Sequence, residues 1–283
     1  MKNKKGSIIK LIYMYFHKFT KHDIMGLSAE MGFYLLTALF PFLILLFIIA
    51  TLISDNMQEL LLNLISYLPR DMENLITELL TSFKGSMPII ITESVLGLWY
   101  MSNVISTLTK AMNRFYGVKE TRGYFKLRGI FLLFALTIIV LIFLSFALVV
   151  FGQGTQLILQ YLNYLPFIST EKVWNYMRYI SVILVIFVAI MIMFKILPNK
   201  HLSFRAVAAG SALTTAAWCI TSYGFSFYVN NFSKYHVIYG SLASIFILVT
   251  WVYMSALVIL IGASINAYWY RLRLAKRIKG SSL

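Results

Sequence analysis

Two carboxylates lie inside or at the edge of strongly apolar stretches, and their type and position could support chemistry. Glu30 precedes the apolar run that begins at Met31, and Glu93 lies about two helical turns into the run that begins at Met87. An ionisable group in a membrane-spanning helix costs a few kcal/mol, which makes both carboxylates functional candidates. Plainer interpretations stay open. Glu30 can be an interfacial carboxylate paired with a lysine, and Glu93 is interfacial if the boundary of its span is displaced.

Polar and aromatic side chains recur at helical spacing along the same runs. Tyr34 and Pro41 share a helical face with Glu30, and Pro41 removes one backbone hydrogen bond, which predicts a kink. Two further stripes consist of Trp99, Ser102, Ser106, Thr109 and Asn113 in the second run, and of Trp251, Ser255, Gly262 and Asn266 in the last. Such stripes either bond to neighbouring helices or line a hydrated cavity, and the spacing leaves both open.

The candidates for a cavity or substrate site are Glu30, Tyr34, Pro41, Glu93, Trp99, Ser102, Asn113, Tyr116, Tyr239, Trp251 and Asn266. Small residues at four-residue spacing, Ala206, Gly210 and Thr214, predict instead a ridge for close helix packing.

Recognisable enzyme motifs are absent from the sequence. The four histidines, His17, His22, His201 and His236, fall in separate places, and none has a carboxylate or cysteine at metal-ligand spacing. The chain has no Walker loop, GxSxG, HExxH or dinucleotide fingerprint. We therefore expect no catalytic residues, no metal, no cofactor and no enzymatic activity, and ribonuclease activity in particular has no residues to perform it.

Composition indicates that the elements carrying these residues are membrane-spanning helices. Of the 283 residues, 60% are hydrophobic and 12% are charged, about half the charge of an ordinary soluble domain. Six apolar windows are long enough to cross a bilayer, at about 31–53, 87–109, 129–151, 176–197, 204–229 and 239–267. The sequence therefore predicts an all-α integral membrane protein with a bundle of six transmembrane helices.

The segments outside the predicted spans differ in length and composition. Residues 1–30 form the N-terminal region, in which Ser7 to Lys21 mixes apolar and basic residues and predicts an interfacial helix. Asp55 to Lys84 is amphipathic and broken at Pro69, which predicts an extracytoplasmic helical hairpin. Residues 268–283 form a basic tail.

Basic residues segregate to one side of the predicted bundle. Net charge is +15, and all but five of the 25 Lys and Arg residues fall at the termini or in the second-to-third and fourth-to-fifth connections. The five on the opposite side are Arg70, Lys84, Lys172, Arg178 and Lys234. The positive-inside rule then places both termini in the cytoplasm, and anionic headgroups account for the charge better than nucleic acid does.

Four stretches resemble the YihY/BrkB family of membrane proteins, and together they cover nearly the whole chain. They are AEMGFYLLTALFPFLILL (29–46); Trp99 followed by Ala111, Asn113, Tyr116, Gly117, Glu120 and Arg122; Leu197-Pro198-Asn199; and Tyr228, Tyr235, Tyr239 and Gly240 with Trp251, Tyr253, Gly262, Ala263, Asn266 and Ala267. One departure is Ser264, where the family often has Glu.

The resemblance implies six helices in the cytoplasmic (inner) membrane. It implies little about activity, because members have carried a ribonuclease label and have been linked to virulence, serum resistance and envelope-lipid export. From the residues, we expect a transporter-like protein whose partners are membrane lipids and a lipidic or amphiphilic solute. The alternative is a non-transporting protein of envelope assembly or scaffolding.

Overall fold

Six helices make up most of the part of the chain that the structure, a computed structural model, describes: residues 23–53, 73–74, 77–78, 87–138, 140, 170–232 and 242–280. They are α1 (Ile24–Ile53), α2 (Met87–Tyr116), α3 (124–138), α4 (Thr170–Ile196), α5 (Phe204–Phe232) and α6 (Leu242–Gly280). The prediction of a helical protein is confirmed. The predicted interfacial helix lies outside the described residues, as do most of the extracytoplasmic hairpin and the second half of the third window.

Local sequence explains where α1 begins and where α2 ends. Asp23 precedes α1 and accepts a hydrogen bond at Oδ1 from the N–H of Gly26 at 3.3 Å, which caps the first turn. α2 ends at Tyr116, and the next residue is Gly117, whose φ of 67° is readily adopted by glycine. There Gly117 N–H donates to Arg114 O and Val118 N–H donates to Asn113 O. These two hydrogen bonds are the pattern of a Schellman cap.

Each of the six helices extends beyond the window that hydropathy predicts for it, and α1, α2 and α6 extend the furthest. α1 begins seven residues before Met31, α2 continues through Tyr116, and α6 runs on to Gly280 through the predicted tail. The added residues include the cations Lys110 and Arg114 in α2 and Arg271 and Arg273 in α6, and the helical backbone continues through them into regions that hydropathy alone does not mark as a span. α1 also continues through Pro41 without interruption.

α6 is the central element of the packing. It contacts α1, α2 and α5, while α1 packs most extensively on α2 and α4 packs on α5. The buried core gathers at one end of the bundle, where α1 starts, α2 ends, α3 starts and α4 ends. Its largest fully buried side chains include Phe115, Phe194, Met112, Leu197 and Leu260.

Large apolar side chains also face outward on the helices. Phe33, Ile91, Leu133, Ile220 and Phe246 each expose about half or more of their surface. Among the described residues, Ile245–Leu274 is long and apolar enough to cross a bilayer, and only 28% of its most apolar window is buried in the protein. Ile24–Leu39 and Ile180–Ile196 are shorter apolar stretches of the same kind. An apolar exterior of this extent is what a lipid environment requires.

Candidate functional site

The Glu30 carboxylate at the start of α1 contacts two side chains of α2. Thr107 Oγ1 donates a hydrogen bond to Glu30 Oε1 at 2.9 Å. Lys110 Nζ lies 3.9 Å from the same oxygen, with 61% of the Lys110 side chain and 39% of the Glu30 side chain exposed. The carboxylate is thus paired with a cation of the second helix and remains half open to its surroundings.

A second charged contact lies nearer the start of α2. Arg128, in the second turn of α3, donates from Nη1 to Asn103 Oδ1 at 2.9 Å. Its guanidinium carbon lies 3.8 Å from the centre of the Trp99 ring, a cation–π contact, and Trp99 itself is half exposed. The Nε and Nη2 atoms of Arg128 are buried and have no hydrogen-bond partner among the described residues.

The residues of α2 that make these contacts share one helical face. Asn103, Thr107 and Lys110 are spaced four and three residues apart and form what we call the polar ladder. Because an α-helix rises 1.5 Å per residue, Asn103 lies about 20 Å along the axis from Tyr116, the last residue of α2. The ladder therefore carries polar contacts from the end of the bundle to a considerable depth inside it.

A third set of contacts joins the α2–α3 connection to the α4–α5 connection, and we call its four side chains, Asn113, Glu120, Arg122 and Asn199, the clasp. Arg122 donates from Nε to Glu120 Oε1 at 2.8 Å and from Nη2 to Glu120 Oε2 at 2.7 Å. The same Nη2 reaches the backbone carbonyl of Leu197 at 2.7 Å. One guanidinium thereby holds a carboxylate of its own loop and the end of α4.

Amides complete the clasp. Asn113 donates to Glu120 Oε2 at 2.9 Å and accepts at Oδ1 from the N–H of Asn199 at 2.7 Å. Asn199 in turn donates to the backbone of Lys119 and to the hydroxyl of Thr121, both at 2.8 Å. The side-chain hydrogen bond from Arg122 is the main cause that lowers the pKa of Glu120 to about 2, and the carboxylate therefore stays charged at neutral pH.

Tyr116 and Asn266 join α2 to α6 beside the clasp. Asn266 is fully buried and donates from Nδ2 to the Tyr116 hydroxyl at 3.1 Å. The Tyr116 ring meets the Tyr270 ring edge to face at 5.8 Å, and Lys200 Nζ lies 4.6 Å from the centre of the Tyr270 ring. These contacts bring the late part of α6 to the end of the bundle where α2 finishes.

The structure brings some of the predicted site residues together and separates others. Asn113, Tyr116 and Asn266 lie at one end of the bundle, but Asn113 and Asn266 have different immediate partners. Trp251 packs edge to face on Trp218 at 6.2 Å, away from them in sequence and in its contacts.

Each of the remaining candidate residues has its own neighbours and degree of burial. Tyr34 is half-buried with its ring edge to face with Phe33 at 5.8 Å, and Pro41 is buried. Glu93 is half-buried and forms no ion pair with a described residue, while Ser102 is buried with its hydroxyl unpartnered in the described part of the chain. Tyr239 lies outside the described residues. That these residues line a cavity stays a prediction.

Four residues that take part in the ladder contacts were not among the predicted site residues: Asn103, Thr107, Lys110 and Arg128. The polar stripe predicted on α2 runs along the adjacent face, where Thr109 bonds to the carbonyl of Ile105 in its own helix. The available signal was the four-and-three spacing of Asn103, Thr107 and Lys110, which becomes informative once α1 and α3 are known to cover that face. Arg128 gave no signal beyond its charge.

Metal ligation has no support in the described part of the chain. No three His, Cys, Asp or Glu side chains among those residues are grouped so that they could hold a metal ion. What the described polar groups can do chemically is donate and accept hydrogen bonds and pair with charged groups.

Comparison with known proteins gives one family and several relatives. The family described as Virulence factor BrkB matches residues 15–281. A Putative ribonuclease-like protein YfkH of Bacillus subtilis is 30% identical over 266 residues, 90% of this chain and 94% of that protein. UPF0761 membrane proteins of Pseudoalteromonas translucida and Idiomarina loihiensis are 36% identical over 80 residues and 39% over 77, about a quarter of each chain. No solved structure matches the chain.

Proposed function

Because the chain belongs to the BrkB/YihY family of membrane proteins, we propose that it is a transporter-like protein that handles a lipidic or amphiphilic solute. The observation that carries the proposal is the polar ladder with its charged partners. Glu30 of α1 and Arg128 of α3 meet Thr107 and Asn103 of α2 at successive depths between otherwise apolar helices. Two buried nitrogens of Arg128 have no partner among the described residues and Glu30 is only partly paired, so a role in binding a polar group explains these charges better than packing alone.

Carboxylates are the groups most suited to coupling. Glu30 is partly exposed and its ion pair with Lys110 is long at 3.9 Å, so a cationic or hydroxylated part of a solute can compete for it. Glu93 offers a second half-buried carboxylate nearer the start of α2. The sequence contains no nucleotide-binding motif, and uphill movement would therefore draw on an ion gradient or on a partner protein.

The test is movement of lipid in vesicles that contain the purified protein. Fluorescent phospholipid placed in both leaflets is bleached from outside with dithionite, and protein-dependent movement raises the bleached fraction. We expect Glu30→Gln and Glu93→Gln to slow this movement. Asp23→Asn is the matched control, because it removes the same charge from the exposed start of α1 and keeps an oxygen for the helix cap. Unchanged rates in both carboxylate variants would remove these groups from the mechanism.

A second proposal, a non-transporting role in envelope assembly or scaffolding, is favoured by a different observation. Asn113, Trp251 and Asn266 each contact a separate neighbour, as side chains that only join helices do. Cross-linking in intact cells tests it: a stoichiometric protein partner, together with no lipid movement in vesicles, supports the scaffold.

We propose that the chain is not an enzyme, although the name of the Bacillus subtilis relative raises ribonuclease activity. Of the four histidines, His201 is described, and it is exposed. Purified protein is expected to cleave RNA no faster than vesicles without it. Cleavage that survives replacement of all four histidines points to a contaminant, whereas cleavage lost with them contradicts the proposal.

We place the protein in the cytoplasmic (inner) membrane with both termini in the cytoplasm. The connections between α2 and α3 and between α4 and α5 are rich in basic residues, and the clasp joins them at one end of the bundle. The start of α1 and the late part of α6 reach the same end. This arrangement supports the orientation that the positive-inside rule predicts. The partners proposed are membrane lipids and not nucleic acid.

A further inference from the structure

The guanidinium of Arg128 is incompletely satisfied by the described residues. Nη1 bonds to Asn103, but Nε and Nη2 are buried without a hydrogen-bond partner in the described part of the chain. Buried donors are almost always paired, since an unpaired one forfeits the hydrogen bonds it makes to water. A buried cation needs an anionic partner as well.

Described carboxylates do not supply that partner. Glu30 is bonded to Thr107 and Lys110, and Glu120 is bonded to Arg122. Among the described residues Arg128 forms no salt bridge. The charge of Arg128 is therefore balanced in this part of the structure only by the amide oxygen of Asn103 and the face of Trp99.

The geometry of the free edge selects the chemistry of its partner. Nε and Nη2 form one side of the planar guanidinium and present two parallel N–H bonds, which match two oxygens of a phosphate or carboxylate. Phosphate is the anionic group that membrane lipids commonly carry. Val95 and Leu96, which lie about one turn from Trp99 on α2, are exposed and give an apolar surface for an acyl chain beside the cation.

We infer that the Nε–Nη2 edge of Arg128 binds the phosphate group of an anionic phospholipid, with Trp99 closing over the guanidinium. This inference rests on the proposed function in taking the solute to be a lipid. Since both nitrogens are shielded, the headgroup reaches them when a neighbouring side chain moves. Trp99 is half exposed and lies directly over the guanidinium, which makes it the side chain suited to that movement.

Equilibrium binding tests the site without requiring transport. The full chain in uncharged detergent is titrated with phosphatidylglycerol that carries bromine on its acyl chains, and quenching of tryptophan fluorescence is followed. Brominated phosphatidylcholine, which is zwitterionic, is titrated in parallel. We expect phosphatidylglycerol to quench at lower concentration, and Trp99→Phe to lose part of the quenched signal because Trp99 borders the site.

Arg128→Gln is expected to weaken phosphatidylglycerol binding about tenfold, the scale of a lost charge-assisted hydrogen bond. Lys126→Gln, the matched control, removes the same charge from an exposed position of α3 and is expected to change binding less than about twofold. Arg128→Lys retains the charge but not the paired N–H edge, and is expected to fall between the two. Thermal unfolding of each variant establishes that it is folded, and Arg128→Lys carries the test if Arg128→Gln is not.

Several outcomes would overturn the inference. Equal affinity of wild type and both Arg128 variants excludes the guanidinium edge, and equal quenching by the two lipids excludes an anionic headgroup. Inorganic phosphate is added as a competitor in a further titration. Displacement of phosphatidylglycerol by millimolar phosphate would show that the ligand is a soluble phosphate and not a lipid. Lipid movement can fail in vesicles while Arg128-dependent binding persists, so failure of the proposed function and failure of this site are distinguishable.

Discussion

At the scale of single residues, the clasp is the best satisfied polar cluster in the described part of the chain. Arg122 alone bridges Glu120 and the carbonyl of Leu197, and both side chains of the ion pair are mostly buried, with 14% and 26% exposed. Asn113 and Asn199 satisfy the remaining groups. Full pairing of this kind separates the clasp from Arg128, where two nitrogens are left over. We therefore propose that the clasp holds the helix ends and that the polar ladder is the part suited to binding.

Arg122→Ala is expected to lower the free energy of unfolding by about 2 kcal/mol, because it leaves a carboxylate and a carbonyl without their charged donor. The measurement is denaturant or thermal unfolding in detergent. Arg114→Ala, an exposed cation on α2, is the control and should change stability by less than about 0.5 kcal/mol. Combining Arg122→Ala with Glu120→Gln should cost less than the sum of the single changes, and strict additivity would contradict the ion pair.

The depressed pKa of Glu120 predicts how the clasp responds to acid. An unfolded glutamate takes up its proton near pH 4.3, but in the folded protein Arg122 holds the pKa near 2. The stabilisation is therefore fully present above about pH 4.3 and is lost as pH falls toward 2. The stability difference between wild type and Glu120→Gln should shrink over that window, as measured by unfolding at stepped pH. A difference that stays constant from pH 6 to 2.5 would contradict it.

At the scale of elements, α5 and α6 pack closely against each other at two glycines. A Cβ added to Gly262 would collide with the Thr214 side chain, and one added to Gly210 would collide with Asn266. The ridge of small residues predicted on α5 and the stripe predicted on α6 therefore interlock, which confirms the prediction of close packing. Asn266 uses this proximity to α5 while it donates to Tyr116 of α2, so three helices meet at one buried amide.

Gly262→Ala is expected to destabilise the protein by about 1–3 kcal/mol, since the added methyl forces Thr214 or the helices to move. Gly224→Ala is the matched control: this glycine is in α5 with nothing within 4 Å of an added Cβ. That substitution should be neutral or stabilise by up to about 1 kcal/mol through helix propensity. Thermal unfolding in detergent compares them, and equal effects at the two positions would contradict the interlocked packing.

At the scale of the whole molecule, the bundle is polar and tightly packed at one end and apolar over its outer surfaces. The core, the clasp and the basic connections share that end. Phe125 and Phe204, both exposed, lie there next to Lys126 and Arg205. Aromatic and basic residues in one layer are typical of the headgroup region of a membrane.

Orientation follows from this asymmetry and is measurable. With Cys219 replaced by serine, a cysteine at Lys126 should react with a membrane-permeant maleimide but not with an impermeant one added outside intact cells. A fluorescent protein fused after Leu283 should likewise fold and fluoresce in the cytoplasm. Labelling of the Lys126→Cys variant by the impermeant reagent would reverse the proposed topology.

The sequence by itself determined the helical membrane class, the family and most helix positions. Long apolar runs carry that information locally, because a bilayer demands about 20 apolar residues per helix whatever surrounds them. It also indicated the small residues where α5 and α6 meet, since close packing restricts residue size at regular spacing. Helix ends were placed less well, because the helices continue past the apolar runs through polar residues such as Asn113 and Arg271.

Only the tertiary structure decided which polar residues meet. Glu30 and Thr107 are separated by 77 positions, and Asn113 and Asn199 by 86. Periodicity shows which residues share a face of one helix, but it does not state which helix covers that face. For this reason the stripe beginning at Trp99 was predicted one face away from the polar ladder, and Arg128 became a candidate only once its partners, and the edge that lacks them, were in place.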